Sequence, residues 1–296
     1  MNGDVSFIGF GEAAQAFAEE RNADSGAPRA YDIKTDDGAT RDTKRADYAR
    51  SRVRGCDSPG EALAGASVVL SLVTADQALA AAQRCAGLLD AKAVWFDMNS
   101  VAPNTKRAAA EVIEEAGGRY LDVAVMAPVH PARRAVPLLL SGTAATAGAE
   151  MLAAIGFSNI RVVGDRIGMA SAIKMIRSVM VKGLEALTTE CVLAADAAGV
   201  RNEVIASLDA SWPGADWAAK ADYNLDRMMV HGLRRAAEME EAVKTLDALG
   251  TGSECTRATV ERQRAIGQLR IAPPAGLDAK LSLLAPFVTT SQDRAA

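Results

Sequence analysis

The stretch VSFIGFGEAAQAFA, residues 5–18, joins an apolar run to an alanine-rich segment through two glycines. The apolar run predicts a buried strand, and the segment that follows has the composition of a helix. Gly9 can form the tight turn between them, and Gly11 can let a pyrophosphate approach the backbone. The third position of this dinucleotide-binding motif is Ala14, which the motif permits. The stretch therefore predicts the first strand and helix of a dinucleotide-binding domain.

The same alternation continues to residue 164. Alanine-rich helical stretches separate several of the six further β-rich runs, RAYDI, SVVLSLV, AVWFDM, YLDVAV, PLLLSG and IRVVG. Such alternation is typical of a doubly wound, largely parallel sheet. Beyond Gly164 the strand pattern ends and helical periodicity continues to about residue 290. We therefore predict an α/β fold, with a Rossmann-type domain at residues 1–164 and an all-α substrate and dimerisation domain at residues 165–296.

Asp32, which ends the second predicted strand, favours NAD as the cofactor. It follows Gly11 by 21 residues, and an acidic residue there accepts hydrogen bonds from the ribose 2′-hydroxyl and repels a 2′-phosphate. NADP stays an alternative, because Lys34 or the basic run at residues 41–54 can neutralise that phosphate. The charged segment 34–57 is otherwise typical of a solvated loop or surface helix. The candidate cofactor-binding residues are Gly9, Phe10, Gly11, Glu12, Ala13, Asp32, Val73 and Thr74.

Composition excludes several other classes of function. The chain has 296 residues, 49% of them apolar, and its net charge of −4 is spread without a basic patch for nucleic acid. We find neither an apolar run of the roughly 18 residues that a membrane span needs nor a secretory signal, and we expect a cytoplasmic protein. Four scattered cysteines and two histidines predict neither a disulfide framework nor a metal site.

A helical stretch with one polar stripe, residues 169–190, provides the candidate catalytic group. Its polar residues fall within a stripe about 140° wide, and the rest of the circumference is almost wholly apolar. Two interpretations are open: the stripe faces water, or its start faces the cofactor. Lys174 lies near the domain junction, where ligands bind in such folds, and Ser178 follows one turn later on the same side. We therefore select Lys174 as the catalytic residue.

Four motifs resemble those of the β-hydroxyacid dehydrogenase superfamily, which includes 3-hydroxyisobutyrate and 6-phosphogluconate dehydrogenases. They are GFGEAA, DMNSVAP, LDVAVMAP and GMASAIKMIRS, and the resemblance covers essentially the whole chain. It implies that Lys174 is the catalytic lysine and that Ser100 lies near the nicotinamide and the substrate. The chain looks closest to a divergent subgroup with an uncharacterised C-terminal domain, identified by IKMIRSVMVKGLEAL and HGLRRAAEME.

Departures from the family pattern concern the substrate. The family's substrate-holding serine and paired glycines are replaced by Met126, Ala127 and Pro128, and its asparagine after the lysine by Ser178. Val181 stands where 6-phosphogluconate dehydrogenases have an acid that assists decarboxylation. These replacements predict a different substrate pocket and argue against that decarboxylation.

The resulting hypothesis is an NAD(P)-dependent dehydrogenase that acts on the CH–OH group of a small hydroxy acid or sugar-acid-like substrate. Neutral Lys174 is the general base, which requires a pKa lowered from about 10.4 towards 7 to 8. His231 has two open interpretations, a structural histidine or a ligand of a substrate carboxylate or phosphate. The candidate substrate-binding residues are Asn99, Ser100, Met126, Ala127, Ser178 and His231.

Two alternative functions stay open, and the sequence also predicts a homodimer. An imine reductase is an alternative because the superfamily includes that activity, and a non-catalytic NAD(P)-binding sensor belongs to a different class. We also expect a homodimer, since about 130 residues of alanine-rich helix follow a domain that is complete in itself. The family often interlocks such helices between subunits.

Overall fold

A computed structural model of the chain describes residues 5–19, 26–91 and 93–289. The chain forms two compact units, Met1–Met175 and Ile176–Ala296. The first contains a sheet covered by helices, and the described part of the second is helical. The predicted fold class is therefore confirmed. The units divide inside a long helix, further along than residue 164, and the assignment of functional domains on either side of that residue stays a prediction.

An eight-stranded sheet forms the centre of the described part of the first unit. Its strands are β1 Val5–Ile8, β2 Arg29–Tyr31, β3 Arg54–Gly55, β4 Val68–Ser71, β5 Val94–Asp97, β6 Arg119–Val125, β7 Leu138–Ser141 and β8 Ile160–Gly164. Their order is β3-β2-β1-β4-β5-β6-β7-β8, and all neighbouring pairs are parallel except β6 and β7. Strand β3, which has two exposed residues within the charged segment, was not predicted from the sequence.

Helices cover both faces of this sheet. They are α1 Glu12–Glu19, α2 Arg41–Arg50, α3 Pro59–Leu63, α4 Ala78–Cys85, α5 Pro103–Glu115 and α6 Ala145–Ala154. Successive strand residues point to opposite faces, so Phe96 joins one apolar core and its neighbour Trp95 joins the other. Strands β1, β4, β5 and β6 are parallel, so their carboxyl ends lie at one edge, where ligands bind in doubly wound folds.

The remaining helices are α7 Met169–Ala197, α8 Arg201–Ser211, α9 Trp217–Leu249, α10 Glu254–Gln268 and α11 Leu277–Thr289. Helices α9 and α10 approach closely at two glycines. A Cβ atom on Gly232 would lie 2.5 Å from the carbonyl oxygen of Gln263 and 2.8 Å from the Cα of Gly267, so neither glycine can be replaced without moving a helix. In the ranges that the structure covers, every helix is too short or too polar to cross a lipid bilayer.

Helix α7 turns its polar stripe inward. Six of the stripe residues are buried, namely Ser171, Ser178, Lys182, Glu185, Thr188 and Thr189. On the opposite side, Met180 and Leu187 are 64% and 65% exposed, and Ile176 and Leu184 are also exposed. Arg177 is the one polar residue of the stripe that is exposed. The interpretation that the stripe faces water therefore fits that residue alone.

Candidate functional site

The glycine turn between β1 and α1 has the geometry of a backbone cradle. Gly9 has a φ of +84°, and a Cβ atom there would lie 2.5 Å from the carbonyl oxygen of Leu72, so only glycine fits. Gly11 is exposed, and a Cβ atom there would meet none of the described atoms within 4 Å. Helix α1 starts at Glu12, and the first backbone N–H groups of a helix have no partner within it. The backbone of Gly11, Glu12 and Ala13 therefore fits an anionic group.

Phe10 and Asp32 are bound to each other. The backbone N–H of Phe10 donates to Asp32 Oδ2 at 2.7 Å, and that of Lys34 donates to Asp32 Oδ1 at 3.0 Å. The Phe10 ring is fully buried in the core. Of the predicted cofactor contacts, Phe10 thus offers neither a free N–H nor its side chain, whereas each Asp32 oxygen keeps a lone pair for a ribose hydroxyl.

Lys44 brings a positive charge to the same turn. It lies on α2 and is 6% exposed, and its Nζ donates to the Phe10 carbonyl at 2.7 Å and to Asp47 Oδ2 at 2.9 Å. Its distance to Asp32 Oδ2 is 4.0 Å. The charged segment contains the helix α2, on which Lys44 and Tyr48 are buried, and also the short strand β3. The basic run therefore does fold back towards the glycine turn and reduces the negative charge around Asp32.

Asn99 joins the loops that follow β4 and β5. Its Oδ1 accepts from the Val73 N–H at 2.7 Å, and its Nδ2 donates to Ser71 Oγ at 3.0 Å and to Asp97 Oδ1 at 2.8 Å. At 4% exposure, Asn99 has used both amide N–H donors inside the protein. The predicted substrate ligand thus positions the backbone of Val73, while Thr74 is exposed beyond it.

Lys174 and Ser100 form the contact at the centre of the candidate site. Lys174 Nζ lies 2.5 Å from Ser100 Oγ in a hydrogen bond, although 74 residues separate them in sequence. Ser100 follows β5, and Lys174 lies in the second turn of α7. Both side chains are half-buried, which leaves each accessible from one side. An amine beside a hydroxyl can accept a proton from, or return it to, a substrate oxygen placed against both.

The segment after β6 lies next to the start of α7. Met126 packs against the apolar cluster of Ala124, Leu139 and Ala170, and Ala170 is the second residue of α7. Ala127 is exposed. These two predicted substrate residues therefore lie at the strand end nearest the helix that carries Lys174.

The other two predicted substrate residues belong to the second unit. Ser178 is 5% exposed, and its Oγ accepts from Lys182 Nζ at 3.3 Å. His231 is half-buried on α9. Lys182 also forms an ion pair with Glu238 at 2.9 Å. Burial lowers the pKa of Lys182, and the Glu238 carboxylate opposes that shift.

A second buried ion pair lies on the same helices and was not predicted from the sequence. Arg235 binds both carboxylate oxygens of Glu185, with Nε at 2.9 Å from Oε2, and Gln263 Nε2 donates to the same Oε2 at 2.9 Å. Glu185 is 3% exposed and Arg235 is 6% exposed. The polar stripe of α7 contains Glu185 and Lys182 and was the available signal, but the periodicity of one helix does not identify partners on α9 and α10.

Two family profiles match the chain. The NAD binding domain of 6-phosphogluconate dehydrogenase matches residues 4–164, and a domain of unknown function (DUF1932) matches residues 195–266. The first match covers more than half of the chain and includes the glycine turn, Asp32, Asn99 and Ser100. Residues 4–164 are therefore an NAD-binding domain of this type.

Known proteins are similar over different lengths. The conserved hypothetical protein from Sinorhizobium meliloti 1021 is 38% identical, with a TM-score of 0.77 over 97% of each chain. Mycobacterium tuberculosis 3-hydroxyisobutyrate dehydrogenase, solved with L-serine, has a TM-score of 0.72 at 17% identity over 96% of this chain and 99% of its own, a likeness of fold. An uncharacterized 28.5 kDa protein of Methanothermus fervidus is 28% identical over 60% of this chain, which spans 66% of that relative's length.

Proposed function

Because the chain belongs to the β-hydroxyacid dehydrogenase superfamily, we propose that it is an NAD(P)-dependent oxidoreductase acting on a small hydroxy acid or sugar-acid-like substrate. It contains the superfamily's NAD-binding domain together with a divergent C-terminal domain. The observation that carries the proposal is the hydrogen bond of 2.5 Å between Lys174 Nζ and Ser100 Oγ. Lys174 was selected from its helical stripe and from the family resemblance, and Ser100 from the resemblance alone, and the two side chains lie in contact.

The glycine turn and Asp32 fit a dinucleotide. The N–H groups of Gly11, Glu12 and Ala13 would hold the pyrophosphate, and Asp32 would accept from the adenosine ribose. We propose NAD as the preferred cofactor, because Asp32 opposes a 2′-phosphate. NADP stays the alternative, because Lys44 Nζ lies 4.0 Å from Asp32 Oδ2 and offsets part of that repulsion. When bound, the nicotinamide supplies the hydride acceptor or donor.

Proton transfer is the part of the reaction that this chain's side chains perform. In the oxidative direction, neutral Lys174 accepts the proton of the substrate hydroxyl as the hydride leaves the same carbon. The Ser100 hydroxyl donates a hydrogen bond to the substrate oxygen and keeps it beside the amine. In the reductive direction, the Lys174 ammonium returns the proton to the carbonyl oxygen. Asn99 is proposed to act indirectly, since its amide groups are bound within the protein.

The remaining assignments are proposals about the two domains. Residues 1–164 would bind the dinucleotide, and residues 165–296 would complete the substrate site and form a homodimer. Ser178, His231, Met126 and Ala127 are the proposed further substrate contacts. The exposed apolar residues of α7 support the dimer, because a contiguous apolar helix face is usually covered by a partner.

A substrate panel tests this proposal directly. Purified protein is incubated with NAD or NADP and small hydroxy acids and sugar acids, and with NADH or NADPH and the corresponding keto acids, while absorbance at 340 nm is followed. Turnover of a hydroxy acid or its keto acid is the expected result. Cyclic imines form a separate arm, and their exclusive reduction would assign an imine reductase instead. Tight NADH binding without consumption in any arm would assign a sensor.

A further inference from the structure

Three buried ionisable side chains from β5, α5 and β6 form a cluster that binds the segments carrying Ser100 and Lys174. Asp97, Lys106 and Asp122 are 1%, 0% and 0% exposed. Lys106 Nζ donates to Asp97 Oδ1 at 2.8 Å and to the Asp97 carbonyl at 2.6 Å, and it lies 3.4 Å from Asp122 Oδ1. An ammonium has three N–H donors, so one lysine can serve both carboxylates.

The first carboxylate fixes the loop that carries Ser100. Asp97 Oδ1 accepts from the backbone N–H of Asn99 at 2.9 Å and from its Nδ2 at 2.8 Å. Asp97 Oδ2 accepts from the Tyr120 hydroxyl at 2.6 Å. The residue immediately before Ser100 is therefore held to the end of β5 by two hydrogen bonds.

The second carboxylate fixes the start of α7. Asp122 Oδ2 accepts from the backbone N–H groups of Gly168 at 3.1 Å and Ser171 at 2.9 Å, and from Ser171 Oγ at 3.0 Å. A carboxylate at a helix N-terminus also interacts favourably with the helix dipole. Lys174 follows Ser171 by one turn of this helix, so Asp122 holds the helix end from which Lys174 extends.

Lys106 connects these two anchors. Asp97 and Asp122 are directly paired residues of the parallel strands β5 and β6, so two negative charges lie side by side. Within the described ranges no hydrogen bond reaches Asp122 Oδ1, and the Lys106 charge is what offsets it. Without that cation, the two buried carboxylates would repel each other, and this repulsion would push the ends of β5 and β6 apart.

We propose that Lys106 is a positioning residue that sets the Lys174–Ser100 distance by bridging Asp97 and Asp122. This inference rests on the proposed roles of Lys174 and Ser100. Lys106 is fully buried, so its side chain offers no surface to a substrate. Its effect is exerted through the loop after β5 on one side and through the start of α7 on the other. A displacement of about 1 Å at reacting groups lowers rates by about 10²-fold.

The test compares Lys106→Met with Glu111→Gln, which removes a charge from an exposed position of the same helix. Methionine keeps most of the volume of lysine, and near-ultraviolet circular dichroism checks that the fold is kept. On a substrate found by the panel, we expect Lys106→Met to lower kcat about 10²-fold with KM changed less than threefold, and Glu111→Gln to leave both unchanged. Asp122→Asn, which keeps an acceptor for α7, is the second variant should Lys106→Met not fold, and we expect the same pattern.

A double-mutant cycle separates positioning from general damage. If Lys106 acts through Lys174, adding Lys106→Met to Lys174→Met lowers kcat by less than threefold, because the group that it positions is already gone. A second full loss of about 10²-fold in that background would overturn the positioning role, and so would a Lys106→Met enzyme with wild-type kcat.

A measurement without turnover distinguishes failure of this proposal from failure of the proposed function. The pH dependence of Lys174 acylation by acetic anhydride, read by peptide mass spectrometry, reports the pKa of that amine directly. We expect its midpoint to shift in Lys106→Met and to stay in place in Glu111→Gln. A shifted midpoint together with full activity of Lys174→Met would reject the catalytic assignment and keep the positioning one. An unchanged midpoint would reject the positioning one.

Discussion

The two units both contain buried ion pairs, but the pairs are built differently. In the first unit one cation, Lys106, serves the two carboxylates of Asp97 and Asp122. These carboxylates also accept hydrogen bonds from Asn99, from the Tyr120 hydroxyl and from the start of α7. Between α7 and α9 of the second unit, Arg235 faces Glu185 and Lys182 faces Glu238, so each of these two cations has its own carboxylate. Elsewhere in that unit, buried Lys280 lies near both Asp222 and Asp226. The cluster in the first unit holds the loop after β5 and the start of α7, whereas the pairs of Arg235 and Lys182 in the second unit join α7 to α9.

This difference indicates different roles for buried charge. A balanced pair between helices fixes which faces meet and needs no further function. The cluster at the strand ends has more carboxylates than cations, and besides Lys106 it binds backbone N–H groups at the start of α7 and in the loop after β5. Strand ends are where ligands bind in this fold. We therefore expect changes near the first cluster to affect catalysis and changes in the second to affect stability.

The largest expected effect is the loss of activity on substitution of Lys174, which tests the catalytic role assigned to the first unit. Lys174→Met should lower kcat by about 10² to 10⁴, because it removes the positioned proton acceptor. Lys174→Arg should recover little of that activity, since guanidinium does not lose its proton near neutral pH. Steady-state kinetics on the identified substrate provide the measurement, and NADH affinity is the control because the glycine turn is unchanged. A methionine variant with a third or more of wild-type kcat would end the assignment.

Breaking the Glu185–Arg235 pair tests the expected role of buried charge in the stability of the second unit. Glu185→Gln leaves the buried guanidinium of Arg235 without its counter-charge, and the free energy of unfolding should fall by about 3 kcal/mol. Urea denaturation measures this, and kcat of the folded enzyme should change less than threefold. Glu190→Gln is the matched control, because Glu190 pairs with Arg262 at 2.8 Å on the surface, where such pairs contribute about 0 to 1 kcal/mol. Equal destabilisation by both variants would contradict the distinction.

The apolar side of α7 provides a further prediction, on assembly. Leu187→Glu places a charge on the face that we propose a second copy covers, and it should convert the dimer to a monomer at micromolar concentration. Light scattering measures the mass. Val162→Glu is the control, since Val162 is 41% exposed on β8 and lies outside α7. A wild-type monomer at the same concentration would contradict the expected dimer.

The smallest expected effect concerns the cofactor. Asp32→Ala removes the proposed ribose acceptor and the charge that opposes a 2′-phosphate, so NAD affinity should fall about tenfold and NADP affinity less. Because Asp32 also binds the Phe10 N–H, part of the loss is shared by both cofactors. Fluorescence titration with NADH and NADPH gives the ratio, with exposed Asp37→Ala as the control. Equal losses for both cofactors would reject the role of Asp32 in selecting between them.

Local patterns in the sequence were enough to predict much of the fold. The glycine turn, seven of the strands and the polar stripe of α7 each depend on residues that are neighbours along the chain. Strand β3 was missed because two exposed residues within a charged segment are too few to show the alternation of apolar and polar residues that identifies a strand. Periodicity also located the polar stripe of α7, but it did not indicate whether that stripe is buried. Charged residues can be buried when partners of opposite charge lie on other helices, and the period of one helix does not reveal those partners.

The positioning part of the candidate site could not be predicted in this way. Lys106 lies in the helical segment TKRAAAEV, where a lysine is typical of an exposed face, and its burial depends on Asp97 and Asp122. Those residues become neighbours only when β5 and β6 pair in one register. Likewise, the sequence identified Asp32 but not that the Phe10 N–H binds it, because that contact depends on the geometry of the turn.

The inward polar stripe of α7 also determines how the second unit can fold. Glu185 contacts Arg235 50 positions later and Gln263 78 positions later, so its burial requires the closure of long loops. Until α9 and α10 dock, the charged residues of α7 have no partners on those helices and its apolar side lies in water, so α7 gains little from forming alone. Non-local contacts of this kind slow folding. We therefore expect α7 to acquire amide hydrogen-exchange protection together with α9 and α10 during refolding, and not ahead of them.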